Sequence, residues 1–393
     1  MSRAEMFVSG VTARRVAWAL MTVGAAAAAV GAALIPQRTW ADLLLNGFFT
    51  IALALGGMVF LALHYLSGAA WSGGIRRIPE ALMAALPVAA VLMLTLFFGR
   101  EWLYPATRVS PHAAGSAREL YLSTPFFFGR MVAFLVVWMA FARGLRRTSL
   151  RQDTDAAPRH HRQLVRNSAA FVVVFAISFS LASFDWLMTL TPHWSSTIFA
   201  FYTFAGVLVG GIAAVTLCVV LLVEGGYLAD AVDTDQLHDL GKLLFTFSTF
   251  WAYIWFAQYL LIWYGNLPEE TTYYIRRTNE PWVALFLLNV VVNWVVPFLV
   301  LMPRAAKRNT AILKWVAVIV LAGRWLDLYL AVMPEMFPAP SIGAVDVLIA
   351  SGCSAAFFLI VTHALASAPL MPLNNQVFLE PVAHAGEEMP RRA

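Results

Sequence analysis

The stretch NSAAFVVVFAISFSLASFDWLMTLTPHW, residues 167–194, decides how the chain is read. Most of it suits lipid, and a run of about 20 apolar residues is enough for one helix to cross the hydrocarbon core. Yet Asp185 stands near its end, where an ionisable group facing acyl chains is costly. Pro192 and His193 follow a few residues later. The face bearing Asp185 must therefore turn toward protein, and that requires a bundle of further spans.

The rest of the chain supplies them. Of its 393 residues, 60% are hydrophobic and 12% charged, about half the charge of an ordinary soluble domain. This is the composition of a polytopic membrane protein. Apolar runs long enough to span occur at about 13–35, 41–66, 79–98, 122–142, 167–190, 194–223, 240–264, 281–302, 312–333 and 342–366. The expected architecture is an all-α membrane protein of about ten transmembrane helices. They form a single transmembrane domain over 1–367 and leave a tail, 368–393, that is extended or docked on a partner. The first run is long and lacks a small-residue cleavage site after it, so it reads as a span rather than a signal peptide. Cys218 and Cys353 lie in apolar runs and form no CxxC or CxxCH. No cluster, covalent haem or metal site is expected in this chain.

Lys and Arg decide sidedness. Of the 27, nineteen fall at the N-terminus, in the loops after spans two, four, six and eight, or in the tail. Six (Arg38, Arg100, Arg108, Arg118, Arg276 and Arg277) fall in the opposite loops, and two, Arg130 and Arg324, inside spans. Both termini are thus expected in the cytoplasm, with an even number of spans. The net charge of +5 reflects this topology. No basic stretch interleaves with exposed aromatics, so nucleic acid is not an expected partner. The loop 143–166, with seven arginines beside His160 and His161, reads as topogenic and lipid-facing.

Orientation gives depth. Asp185 lies about 8 Å inside the periplasmic edge of span five at 1.5 Å per residue, and Ser178 and Thr189 share its helix face. Arg130 in span four has a comparable depth and is a candidate cation for it. His193 opens span six at the same level, and the short Thr191–Pro192 connection makes spans five and six antiparallel neighbours. In span nine, AGRWLDLYL places Arg324 and Asp327 three residues apart, where they can pair. Asn289 and Asn293 share a face of span eight, and Asn46 and Gln258 lie in the periplasmic halves of spans two and seven. From the cytoplasmic side, Lys242, Thr246, Thr249 and Tyr253 climb one face of span seven. That stripe either lines a half-channel or packs on a neighbour beneath a snorkelling Lys. His64 and His363 share a level near the cytoplasmic ends of spans two and ten, which meets one of the two requirements of a bis-His haem. Asp185 reads as a protonatable site, a quinone-headgroup contact or a buried ion pair. Gly56-Gly57 and Gly210-Gly211 fit tight helix packing better than the broken helices of a secondary transporter.

Three stretches carry a resemblance: SFDWLMTLTPHWSSTIFAFYTFAG, HDLGKLLFTFSTFWAYIWFAQYLLIWYGNLPEET and LHYLSGAAWSGGIRRIPEAL. They are similar to the F subunit of alternative complex III, within the NrfD and polysulfide-reductase membrane-anchor superfamily, over about residues 40–335. The resemblance implies two four-helix bundles, about 41–190 and 194–333, flanked by the first and last helices. It implies an integral subunit of a quinol:electron-acceptor oxidoreductase, such as a quinol:cytochrome c enzyme, in a bacterial inner membrane. The implied partners are a homologous quinol-binding C subunit, an iron–sulfur subunit and c-type haem subunits, with lipids around them. Menaquinone or ubiquinone would be the substrate, and proton translocation or release the role of this subunit, with quinol contact as an addition. Asp185 and His193 match the family's D-W…P-H-W motif, and Lys242 its D-L-G-K motif. Thr191 stands where similar proteins carry an acid before Pro-His, which removes one proton-exit group. The expected proton pathway comprises Asp185, His193, Arg324 and Asp327 with Lys242, Thr246, Thr249 and Tyr253; the expected quinone contacts are Asp185, His193 and Arg130. The competing readings are a secondary transporter and a purely structural anchor of the complex.

Overall fold

Proline sets many of the helix starts. It occupies the first turn of α2 (Pro36–Ser67), α4 (Leu86–Leu103), α6 (Thr124–Thr154), α7 (Pro158–Trp186), α10 (Pro268–Thr278) and α12 (Val296–Leu301), where its missing N–H is one the helix would leave unpaired anyway. The other helices are α1 (Val11–Leu34), α3 (Arg77–Met83), α5 (Ala117–Leu122), α8 (Phe199–Glu224), α9 (Thr234–Gly265), α11 (Val283–Val290), α13 (Thr310–Met336) and α14 (Ala344–Ala366). The structure, a computed structural model, describes residues 6–104, 117–191, 194–229 and 231–372. Among these every regular element is helical. The tail beyond residue 372 lies outside the described residues.

Nine helical stretches among the described residues are long and apolar enough to cross a membrane: α1, α2, α3 with α4, α6, α7 with its following turn, α8, α11 with α12, α13 and α14. The chain is a multi-pass all-α membrane protein. Expected span seven forms a continuous 32-residue helix, α9, but is not among the nine. Its Thr, Ser, Gln, Trp and Tyr residues dilute the aliphatic content. The Asp233 side chain starts α9 by accepting from the Asp235 and Gln236 N–H groups, and Gln236 caps back onto Asp233.

Two expected loops are largely helical. Span four continues to Thr154 and span five begins at Pro158, so the 143–166 connection narrows to Asp155–Ala157. Arg and Gln are good helix formers, and leaving the apolar region does not end a helix. Likewise 265–280 contains α10, which the sequence reading missed. It has Glu269 and Glu270 in its first turn and Arg276 and Arg277 in its last, matching the helix dipole at both ends. Span six starts at Phe199 rather than at residue 194, so the link from α7 is longer than the Thr191–Pro192 step implied.

Helix α2 lies at the centre and is buried along nearly its whole length. It packs against α4 and α7 from the first half of the chain and α8, α13 and α14 from the second. The α2–α8 crossing is backbone on backbone: a Cβ on Gly56 would fall 2.5 Å from Val207 O and 2.7 Å from Gly211 Cα. Both helices run through this point unbroken. Helix α6 packs on α4 and α7, α9 on α8 and α12, and α1 on α14.

Hydrogen bonds define two faces. On the terminal face Tyr227 reaches Val8 O and Arg146 reaches Ala364 O. On the far face Trp194 reaches Glu270 O and Trp282 reaches Pro338 O.

Candidate functional site

Two buried acids sit toward the far face, one in each half of the chain. Asp185, 1% exposed, ends α7 and meets Arg130 of α6 in a forked pair, Nε to Oδ2 at 2.8 Å and Nη2 to Oδ1 at 3.1 Å. Arg130 also donates to Tyr121 O at 2.7 Å, and its guanidinium lies 3.6 Å from the Tyr121 ring centre. Burial, with Asp185 nearby, pushes the Tyr121 phenol up to about 12. Both carboxylate oxygens are thus engaged in the ion pair. Ser178 accepts from Trp138 Nε1 at 2.9 Å, while Thr189 lies in the turn after α7 and donates to Phe184 O. His193 lies outside the described residues.

The second acid has the richer setting. Asp327 of α13 pairs with Arg324 one turn earlier and accepts from Tyr202 Oη of α8 and from Asn289 Nδ2 of α11 at 2.6 Å. Asn293 Nδ2 donates to Asn289 Oδ1 at 2.7 Å. Three helices thus converge on one carboxylate, and a fourth, α9, meets its arginine through Trp251, which lies under the Arg324 guanidinium at 4.4 Å.

The sequence explains the convergence locally. Pro297 cannot donate to Asn293 O, so the helix widens by one residue over Val291–Val295, with Val296 N bonding Val291 O. Asn293 fits because Gly323 faces it; a Cβ there would come 2.8 Å from Asn293 Oδ1. Gly206 and Gly210 of α8 lie against Arg324, where a Cβ would make ordinary contact at 3.5–3.6 Å from its side chain.

Small cavities flank the Tyr202–Asp327 pair. One, of about 30 Å³, is lined by Arg324, Thr203, Gly206, Gly210 and Leu53 as well as the pair. The other, of about 20 Å³, is lined by Gln258, Asn289, Tyr273, Tyr274 and Arg277. Each exceeds the roughly 10–15 Å³ that one water needs. Arg324 Nη1 in the first cavity and Gln258 Nε2 in the second have no hydrogen-bond partner, which is the polar lining that buried water requires.

From the smaller cavity a polar route continues to the far surface. Arg277 of α10, 2% exposed, donates from Nε to Leu330 O at 2.9 Å. Pro334 lacks the N–H that would otherwise take that carbonyl, so the proline inside α13 creates the acceptor that docks α10. Arg277 Nη1 bonds Glu335 Oε1 at 2.9 Å, and half-exposed Arg276 bonds Glu335 Oε2 at 2.6 Å. Arg276 and Glu335, but not Arg277, border an open cleft of about 620 Å³ that includes Thr272, Asn279 and Phe337. Burial pushes the Tyr273 hydroxyl up to about 12, so it stays protonated beside this route.

The expected stripe on α9 is placed elsewhere. Lys242 is exposed and paired with Asp239 at 2.6 Å, Thr246 is exposed, Thr249 bonds Phe245 O, and Tyr253 is 66% exposed. Lys242, Thr246 and Tyr253 look outward, Thr249 is part-buried, and none of the four borders the cavities beside Asp327. The physical reason is that the bulky apolar residues Leu244, Trp251 and Ile254 take the inner face of α9. The polar groups on that inner side are Ser248 and Gln258. His64 bonds Phe60 O at 2.6 Å and packs on Trp71, while His363 is exposed. Among the described residues no three of His, Cys, Asp and Glu gather as a metal would require.

Sequence reasoning found Asp327, Arg324 and the asparagines but missed Tyr202, Arg277 and Glu335 as members of the site. Tyr202 looked like an ordinary span residue, and only its shared depth with Asp327 could have pointed to it. These features define a multi-pass helical membrane protein with buried ion pairs near one face. No model of a known family and no curated protein matches the chain.

Proposed function

We propose that this chain is the integral membrane subunit of a quinol-oxidising complex of the alternative complex III type, and that it moves protons toward the far face. The observation that carries this reading is the Tyr202–Asp327 pair, held between two cavities of water size and followed by Arg277, Glu335 and an open cleft. A hydroxyl both donates and accepts. Tyr202 can therefore surrender its bond to Asp327 when the carboxylate takes a proton, then restore it when the proton leaves. The three-stretch resemblance to the F subunit supports the same role. What that resemblance implies is that quinol oxidation, iron–sulfur clusters and haems belong to partner chains and that the complex sits in a bacterial inner membrane. Helix contacts support two four-helix groups: α2, α3 with α4, α6 and α7, then α8, α9, α11 with α12 and α13, flanked by α1 and α14. The excess of Lys and Arg supports a cytoplasmic terminal face. In this arrangement α9 is the tenth span.

The test is Asp327→Asn, with Tyr202→Phe beside it, in the assembled complex. Protons released per electron should fall by half or more, with complex yield and haem content unchanged. Turnover and proton release both at the wild-type level would refute the proposal. A lower yield with intact specific activity would favour a structural anchor, the reading to which the closed Arg130–Asp185 pair lends weight.

A further inference from the structure

We infer that the terminal face carries a binding site for a phosphate-type anion between the end of α2, the turn Ala70–Ile75 and the start of α7. Gly68 ends α2 in the left-handed region, at φ 63°. The following turn brings Arg76 back over the helix end, and Gln236 of α9 pins it by donating to Trp71 O at 2.8 Å. Beneath lies a partly open cavity of about 30 Å³, lined by His64, Tyr65, Ser72, Arg76, Pro79 and His161.

Arg76 is 4% exposed, and only Nη1 has a partner, Gln152 Oε1 at 3.0 Å. Its Nε and Nη2, the Tyr65 hydroxyl (9% exposed) and His161 Nδ1 are all buried without one. The neighbouring arginine differs. Arg77 bonds Glu80 at 2.6 Å, Ser149 at 2.9 Å and Asp153. Glu80 is thereby engaged and stands 3.7 Å from Arg76 Nε, beyond hydrogen-bond distance. Arg76 is thus a buried guanidinium, ion-paired to Glu80 across 3.7 Å, with two donors that make no hydrogen bond beside a hydroxyl that makes none. That is the donor set a tetrahedral oxyanion takes. The space holds about two water positions, which suits the oxygens of a phosphate.

Two sources share this chemistry: the headgroup of an anionic phospholipid and free inorganic phosphate. Basic pockets between helices at a membrane surface are typical headgroup sites. Leu63 and Leu66, on the same end of α2, are exposed beside the cavity as a surface for acyl chains.

The experiment uses the full-length protein in neutral detergent. Thermal unfolding is followed with added phosphatidylglycerol, phosphatidylcholine or inorganic phosphate at matched ionic strength, and bound lipids are counted by native mass spectrometry. Phosphatidylglycerol should raise Tm saturably and phosphatidylcholine should not. Arg76→Gln should weaken the apparent affinity about tenfold or more, the size of a lost charged hydrogen bond. Tyr65→Phe should weaken it by a smaller factor, and it carries the test should Arg76→Gln fail to fold. Stabilisation by inorganic phosphate alone would support the site with a soluble anion as its source. No saturable effect of either anion, or unchanged affinity in the folded variants, would overturn the inference.

Discussion

At the residue scale, the two buried acids differ in what surrounds them. Asp185 is closed by one arginine, whereas Asp327 is held by an arginine, a tyrosine and an asparagine from three helices. Depth and spacing were enough to find both carboxylates and their arginines, because i, i+3 neighbours share a face whatever the tertiary structure. They could not find Tyr202 or Glu335, whose roles depend on how α8 and α10 dock. A third acid lends itself to a pH experiment. At the α6–α7 corner, hydrogen bonds from His160 and Arg159 and from the Ala157 N–H hold the Asp155 carboxyl down at about 2, from an ordinary value of 3.8. A depressed carboxyl stabilises the fold fully above its ordinary value, and that contribution is lost as pH falls through its folded value. The Ala157 amide should therefore keep its hydrogen-exchange protection, relative to the intrinsic rate, at pH 5 and begin to lose it below pH 4. Protection unchanged down to pH 2 would contradict the assignment.

At the element scale, small residues decide which helices meet. The α2–α8 crossing depends on Gly56 and Gly211 touching through their backbones. Gly56→Val should push the helices apart and destabilise the protein by about 1–3 kcal/mol, measured as a lower midpoint in detergent unfolding. The same substitution at Gly129, with nothing within 4 Å of its Cβ position, should cost far less. Nine of the ten expected spans were legible as helices long and apolar enough to cross, because long apolar runs state their own length. Two elements were not. The polar extensions of α6 and α7 carry no hydropathy signal, and α10 is short and amphipathic, so only its terminal charges and Pro268 announce it. The α9 stripe was legible as a stripe, but its direction was not. Period alone does not say which side of a helix meets protein when the opposite side meets lipid.

At the scale of the whole molecule, the two ends of α9 test the span count. Single cysteines at Asp235 and at Asn266 should react with an impermeant maleimide from opposite sides of the membrane. Reaction of both from one side would remove α9 from the spans and break the even count. The placement of α1 against α14 has its own consequence. Gly24 of α1 lies so close to α14 that a Cβ would come within 2.6 Å of Leu348 O, and Gly31 faces Val345. Helix α1 thus docks on a helix made more than 300 residues later. At about 5–20 residues per second, roughly 15–65 s of synthesis separate the two contact points. For that interval α1 is a newborn span waiting in the bilayer for its mate, and any ribosome that stalls before α14 releases a chain with an open seam that membrane quality control can recognise.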